Sequence, residues 1–380
     1  MSRGDALPSI GAIGWTVGLI SGTSADGIDV AAIATDGRRV LRYGPSGIYP
    51  YRPETRAQVL ALAATGEAPD RRMADELAHA VEIDHVDAFA HWRAAHGIGL
   101  DEISLIGFHG QTVFHDPGAG ITVQLGHPGR IAARLGVKTV GHLRRADMAN
   151  GGEGAPIVPL YHAALLDGSD QPTAILNIGG VSNVTLVTET GVAACDVGPG
   201  NAALDDWVRA HLGEDFDRDG MIAARGHVDV ERVQKALNHP YFTRHGPRSL
   251  DRNAFTAGMV EGLSLEDGAA TLVAITAASI TRAAETLVPQ PMRWLVCGGG
   301  RHNRTLMAAL AERLAVPINP VECIGLDGDA IEAQAIAFLA MRSQLGLPLT
   351  VPTTTGCRTP TCGGEAFDAA GQPSLFTALR

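Results

Sequence analysis

The chain is poor in lysine. Among its 30 lysine and arginine residues, only Lys138 and Lys235 are lysines, and neither lies in a Gly-rich GxxxxGK[ST] run. This excludes a P-loop nucleotide site, so any phosphate must be held by backbone N–H groups, a metal ion or arginine. Cysteine is also scarce. The five cysteines (Cys195, Cys297, Cys323, Cys357 and Cys362) are odd in number and irregular in spacing, which points to reduced thiols in a cytoplasmic protein rather than a disulfide framework. Cys357 and Cys362 lack the second pair that would complete a zinc site. The 14 histidines show no HExxH or similar metal spacing, and His79, His85, His91 and His96 read as solvated or capping residues of a helical stretch. Long apolar runs are missing as well. Ile10–Ile20 is too short to span a bilayer; it follows Asp5 and Pro8 without a convincing cleavage site and reads as a buried first strand. Excess positive charge is absent: the formal charge is −11. That argues against a general nucleic-acid or anionic-membrane surface, while leaving room for a local phosphate site.

What remains is an ordinary globular composition, 45% hydrophobic and 19% charged over 380 residues. Domains commonly run about 100–200 residues, so two are expected. Strands and helices alternate along the chain. Ile13–Ile20 and Ile28–Ala34 read as a hairpin around SGTSADG. Helices follow at Arg56–Ala64 and Arg72–Ala95, then a strand at Ile103–Phe108 ending in HGQT. A short helix at Pro128–Leu135 and a strand at Val137–Val140 lead to a Gly-rich loop, Gly141–Ala155, and a helix from Pro156. The pattern then repeats: a strand at Thr173–Asn177, a turn IGGVSN, a strand at Val184–Thr188, and a strand at Ala193–Val197 ending in DVGPGN. Asp215–Arg252 reads as surface excursions. A long helix at Gly268–Thr286, a strand at Met292–Cys297 ending in GGG, and a helix at Asp329–Arg342 follow, with an irregular tail beyond Pro348. Two related, closely apposed α/β halves are implied.

Three Gly-rich turns follow apolar strands: Gly22–Gly27, Gly179–Asn183 and Gly298–Gly300. Glycine lets a backbone approach a ligand, and successive N–H groups in such turns form anion-binding concavities. Two matched hairpins facing each other would clamp a polyphosphate, with Thr23, Ser24, Ser182 and Asn183 adding neutral donors. Asp26, Asp29 and Asp196 lie in or beside these turns. Carboxylates beside a phosphate cradle suit Mg²⁺, with Asp26 and Asp196 as its ligands; ordinary turn chemistry is the alternative for Asp26. In GHLRRADMANGGEGAP, Asp147 follows Arg144 and Arg145. It is either a base that takes a proton from a hydroxyl or water or half of a surface Arg–Asp pair. His109, Gln111 and Thr112 end a strand, where ligands bind in α/β folds; they are a sugar- or carboxylate-binding group or a structural cluster.

The order GTSADGID, GFHGQT, RRADMANGGEGAP, NIGGVSN, DVGPGN, CGGG-RHN and GDAIEA resembles the 1,6-anhydro-N-acetylmuramic acid kinases, from about Gly18 to Gly356. The resemblance implies an actin-like fold of two ribonuclease H-like α/β domains with an ATP cleft between them. We expect residues 1–140 plus the tail from about 346 to 380 to form one domain and 141–345 the other. It further implies ATP and Mg²⁺ as cofactors, and a reaction in which water opens the anhydro bridge while the 6-oxygen takes the γ-phosphoryl group. On this resemblance Asp147 is the base in R-x-x-D. Gly22, Thr23, Ser24, Ala25, Asp26, Gly27, Ile28 and Asp29 form the first phosphate region. Gly179, Gly180, Asn183, Asp196, Gly198, Gly200 and Asn201 form the second, and Gly298, Gly299, Gly300 and Asn303 the adenosine region. His109, Gln111, Thr112, Arg144 and Glu332 touch the sugar, and a homodimer is compatible with the family. This chain departs from the family pattern at His142 and Leu143 (aspartate and phenylalanine elsewhere), at Glu153 (glutamine elsewhere), in GHPGRIA (Gly126–Ala132) and in RSLDRN (Arg248–Asn253).

The departures keep other readings open. A kinase for a simpler anhydrohexose such as levoglucosan would offer no arginine to a lactyl carboxylate. A catalytically silent sugar- or nucleotide-binding regulator would have no reason to keep a base beside intact Gly loops. A chaperone-type ATPase would carry a peptide-binding appendage, and none follows the two halves.

Overall fold

The computed structural model describes residues 14–169, 171–244 and 246–374; the expected first strand is therefore seen from Gly14 onward, and Ile10–Ile13 lie outside the described residues. The first sheet is built from β1 (Trp15–Ser21), β2 (Ile28–Thr35), β3 (Val40–Tyr49), β4 (Ile103–Asp116), β5 (Ile121–Leu125) and β6 (Thr139–Gly141). β1, β2 and β3 form an antiparallel meander, and β4 then β6 add in parallel on the other side of β1. The second sheet is built from β7 (Thr173–Ile178), β8 (Val181–Thr188), β9 (Gly191–Pro199), β10 (Arg293–Cys297) and β11 (Ile318–Pro320). β7, β8 and β9 form the same meander, and β10 then β11 add in parallel beside β7. The orders 3-2-1-4-6 and 9-8-7-10-11 are one topology used twice. This is the ribonuclease H-like pair of the actin-like fold. The tail is less irregular than its composition suggests: β12 (Glu365–Phe367) pairs antiparallel with β6 and extends the first sheet, and Pro352–Thr355 form a helical turn.

β1 reads as a nearly continuous apolar run because it is covered on both faces and buried from Thr16 to Ser21. The helix Ile331–Gln344 is buried from Ala333 to Ala340 on both faces for the same reason. Ala333, Ile336 and Ala340 pack with Ile20, Leu105 and Val140 of the first sheet. Ile331, Ala335 and Phe338 pack with Ile175, Val187 and Leu295 of the second. The two sets alternate at spacings of three and four residues and so occupy two faces. Glycine makes the close approach on the first side possible: a Cβ on Gly18 or Gly107 would collide with the carbonyls of Ala333 or Ile336. This helix, which the expected division grouped with residues 141–345, thus lies between both sheets. Tyr161, in the helix Pro159–Leu165, donates to Gln334 at 2.7 Å and ties a second helix into the same layer. That helix starts at Pro159 rather than Pro156. Each large apolar side chain buried here, such as Phe338, contributes about 1.5–3 kcal/mol.

His85 is fully buried, not solvated: its Nδ1 donates to the Val81 carbonyl at 2.8 Å, and Phe108 lies edge-on 5.2 Å away. No helix among the described residues is long and apolar enough to cross a membrane, and all five cysteines are unpaired.

Candidate active site

The carboxyl ends of the paired strands β1/β4 and β7/β10 open on one cleft of about 490 Å³ between the sheets, where ligands settle in such folds. The β1–β2 turn closes with a bond from Ala25 N–H to the Gly22 carbonyl, 3.1 Å. Gly22, Thr23, Ser24 and Asp26 line the cleft. Ala25, Gly27 and Ile28 do not: Ala25 and Ile28 are core residues, and a Cβ on Gly27 would sit 2.5 Å from Ile48. Opposite, Gly179, Gly180 and Asn183 line the wall from the β7–β8 turn. A Cβ on Gly180 would lie 2.8 Å from Thr23 Oγ1, so the two hairpins face each other closely. DVGPGN supports this second turn from behind. Gly200 N–H donates to the Gly180 carbonyl at 3.0 Å and Asn201 N–H to that of Gly179 at 2.8 Å. Of this motif Asn201 and Asp196 reach the cleft, while Gly198 packs on Ser279. Gly298 and Gly299 line the third wall. Gly298 has φ 74°, and a Cβ there would strike Asn177 Oδ1. Gly300 packs on Ile178, and Asn303, which lines the cleft, caps the helix Arg304–Arg313 by accepting from Leu306 N–H at 2.9 Å.

Beneath the first turn the cleft is acidic. Burial, then the charges of Glu332, Asp26 and Asp329, raises the Asp29 carboxyl well above its usual range. Glu332 is raised by burial and by Asp26, although Asn177 donates to it at 2.9 Å. Among the described residues Asp26, Asp29 and Glu332 have no salt-bridge partner, whereas Asp329 pairs with Arg301. Hard oxygen ligands crowded together with no cationic side chain paired to them are a donor set that suits Mg²⁺ together with phosphate oxygens. Among the described residues no three His, Cys, Asp or Glu side chains form a metal cage of their own, which Mg²⁺ does not need. Asp196 does not belong to this set: its charged neighbours are Arg144, Glu153 and Arg248. Of the two expected metal ligands, Asp26 lies among these acidic residues and Asp196 lies apart from them, beside Arg144 and Arg248.

The other end of the cleft is lined by His109, Thr112, His115, Arg144 and the stretch from Ala155 to Val158. Arg144 Nε donates to His109 Nε2 at 3.2 Å, which assigns the histidine proton to Nδ1, 3.1 Å from the Gly110 carbonyl. Burial and then Arg144 push His109 down to about 3, so it stays neutral. Arg144 donates a second bond to the Gly154 carbonyl at 2.6 Å. Burial brings its guanidinium down only to about 10, so it remains a cation. Its other terminal nitrogen has no partner among the described residues. Gln111 stands behind the site rather than in it. It accepts from Ser21 at 2.6 Å and donates to the Gly22 carbonyl at 3.0 Å, bracing the first turn.

Asp147 is not at the cleft. It is 1% exposed. Its Oδ1 accepts from the hydroxyls of Thr350 and Thr355, the latter at 2.6 Å, and its Oδ2 from Gly154 N–H at 2.7 Å. A buried carboxylate that holds three structural donors and does not line the cleft anchors a loop. Asp196 has the opposite arrangement. It lines the cleft, its Oδ2 accepts from Leu250 N–H at 2.7 Å, and its Oδ1 has no protein donor among the described residues. Burial, against the pull of the Leu250 N–H and Arg144, raises it to about 7, the value that suits a base at neutral pH.

The segment read as surface excursions reaches the cleft at both ends. Phe216, Asp217 and Asp219 line it, as do Leu250, Asp251, Arg252 and Asn253. Arg252 donates to the Thr23 carbonyl at 3.1 Å and pairs with Asp206 at 3.1 Å. Asp205, raised to about 8 mainly by burial, also faces the cleft. The acidic, glycine-ended DRDG at 217–220 was the available signal for the first group.

The family described as anhydro-N-acetylmuramic acid kinase matches residues 14–369. The anhydro-N-acetylmuramic acid kinase of Rhodospirillum rubrum is 48% identical over 96% of this chain and 97% of its own length. That of Acidiphilium cryptum is 47% identical over 92% and 97%. Among solved structures, component A of the (R)-2-hydroxyglutaryl-CoA dehydratase of Acidaminococcus fermentans is similar at a TM-score of 0.46 and 11% identity, over 86% of this chain and 98% of that one. The chain therefore belongs to the anhydro-N-acetylmuramic acid kinase family and is an ATP-using kinase.

Proposed function

We propose that this enzyme uses ATP and water to convert 1,6-anhydro-N-acetylmuramic acid into N-acetylmuramic acid 6-phosphate in cytoplasmic cell-wall recycling, with Asp196 as the base. The observation that carries this is the open Oδ1 of Asp196, in the same cleft as two facing phosphate turns. The turns at Gly22–Asp26 and Gly179–Asn183 bind the triphosphate through backbone N–H groups. Asp26, Asp29 and Glu332 would hold Mg²⁺, which when bound neutralises charge on the phosphates. Asp196 takes a proton from water as the water oxygen bonds to the anomeric carbon. The bond from that carbon to the 6-oxygen breaks, the 6-oxygen bonds to the γ-phosphorus, and ADP leaves with the electrons of the broken phosphoanhydride bond. No separate acid is needed, because phosphorylation captures the charge on the 6-oxygen.

Arg144 favours the lactyl-bearing sugar over levoglucosan. A guanidinium fixed on two sides with one terminal nitrogen free is suited to a carboxylate, and a plain anhydrohexose has none. Turnover in ¹⁸O-water tests the chemistry: the label belongs on the anomeric hydroxyl, and label in released phosphate would mean simple ATP hydrolysis. Asp196→Asn should lower turnover about 10²–10⁴-fold with ATP affinity kept; retained activity would remove Asp196 from the mechanism.

A further inference from the structure

We propose that Glu153 is a positioning residue for the base: it holds Arg244 and the segment 246–250 so that the Leu250 N–H keeps the Asp196 carboxylate in one orientation. This rests on the reading of Asp196 as base. Glu153 Oε2 accepts from both the N–H of Ser249, at 2.9 Å, and its hydroxyl, at 2.7 Å, while Oε1 pairs with Arg244. One carboxylate therefore holds both Arg244 and Ser249. The N–H following Ser249 is the one that donates to Asp196 Oδ2 at 2.7 Å. The Arg248 carbonyl accepts from Asp196 N–H at 2.9 Å, so one backbone bond and one bond to the carboxylate tie residues 248 and 250 to the end of β9.

The clamp has few substitutes. The Arg248 guanidinium turns back on the segment's own carbonyls, those of Arg244 at 3.1 Å and Gly246 at 3.4 Å, and lies 5.3 Å over the Tyr241 ring. Tyr241 donates to the Asp196 carbonyl at 2.6 Å, which fixes the backbone of the base but not its carboxylate. Glu153 comes from the loop whose next residue, Gly154, accepts from Arg144. Adjacent residues thus set both the base and the cationic wall of the sugar site. The groups facing Asp196 are Arg144 and Arg248, which draw its pKa down, and Glu153, which pushes it up, with the Tyr241 hydroxyl and Cys195 thiol beside it. A glutamine at 153 would keep its carbonyl oxygen for Ser249 but would present an NH₂ to Arg244, donor against donor.

The test compares Glu153→Ala, Glu153→Gln and Ser249→Ala with the unmodified enzyme, and carries Asp196→Asn in parallel. It measures kcat, both KM values and the profile of kcat/KM between about pH 5.5 and 9. Glu153→Ala should lower kcat on the order of 10²-fold, the scale of a misplaced catalytic group, with the KM for ATP within about threefold. Glu153→Gln should recover kcat to within about tenfold of the parent and move the acid limb to lower pH, because a negative charge beside Asp196 is gone. A Glu153→Ala enzyme with kcat within about threefold of the parent, or a Glu153→Gln enzyme with an unmoved limb, overturns the proposal. If Glu153→Ala does not fold, the limb of Glu153→Gln and the kcat of Ser249→Ala decide it on the same terms. An active Asp196→Asn enzyme would defeat the base assignment itself, whereas an inactive one beside a normal Glu153→Ala enzyme defeats only the clamp.

Discussion

Replacing Asp147 by asparagine separates the anchor from the base. Three donors converge on the buried carboxylate: Thr350 and Thr355 on one oxygen and Gly154 N–H on the other. Hydrogen bonds to a charged group contribute about 1.5–3 kcal/mol each. Asparagine can keep its carbonyl oxygen on the threonine side, but its NH₂ then opposes the Gly154 N–H. One charge-assisted bond is lost, and two buried donors face each other without an acceptor. The expected cost is about 3 kcal/mol, a fall in melting temperature of roughly 4 °C for a chain of this length. Gly154 also carries the carbonyl that holds Arg144, so its movement should raise the KM for the sugar while kcat falls less than about tenfold. Thermal melting and steady-state kinetics, run well below the new transition, read both effects. A variant that melts like the parent and turns over more than about 10²-fold more slowly would refute this reasoning and return the chemistry to Asp147.

With Asp196, raised to about 7, as the proposed base, kcat/KM should be flat above about pH 8 and fall tenfold per unit below about pH 6; a limb near the ordinary carboxylate range would contradict its environment. The folded-state carboxyls of Asp196 and Asp205 lie above their unfolded values, so the native state binds more protons and their contribution to stability falls as pH rises from about 4 to about 8. Asp205→Asn, by removing one of these groups, should flatten that part of the melting-temperature profile. Gly18→Val drives a side chain into the Ala333 carbonyl and should cost about 3 kcal/mol, measured by denaturant unfolding. Arg144→Gln should raise the KM for the lactyl-bearing sugar at least tenfold, equivalent to about 1.4 kcal/mol, and leave the KM for a lactyl-free anhydro-sugar nearly unchanged. Equal effects on both substrates would free Arg144 of the carboxylate role.

The duplicated topology was legible because hydrophobic patterning carries it. A strand, a Gly-rich turn and a strand at Trp15–Thr35 recur at Thr173–Thr188, and both pairs became the inner strands of matching sheets. The position of the helix Ile331–Gln344 between those sheets was not legible. Its composition is that of any core helix, and only the glycines of β1 and β4 beneath it mark the close packing. The tail misled for a related reason. Thr/Gly-rich sequence reads as loop, yet Thr350 and Thr355 gain order from a single buried carboxylate about 200 residues earlier, a contact that no local pattern encodes.

The same distance explains the two aspartates. Asp147 stands among arginines and glycines in a polar loop and looks like an exposed base; Asp196 ends an apolar strand and looks like a turn or metal residue. Sequence neighbours predict the charge around a carboxylate, but reactivity depends on which of its lone pairs remain unoccupied. That is set by residues from elsewhere in the chain: two threonines and a glycine N–H for Asp147, and one leucine N–H for Asp196. Where a motif places a carboxylate beside arginine, the useful question is how many structural donors already converge on it. On the proposed reading, three donors mark Asp147 as an anchor, and a single donor leaves Asp196 an oxygen for water.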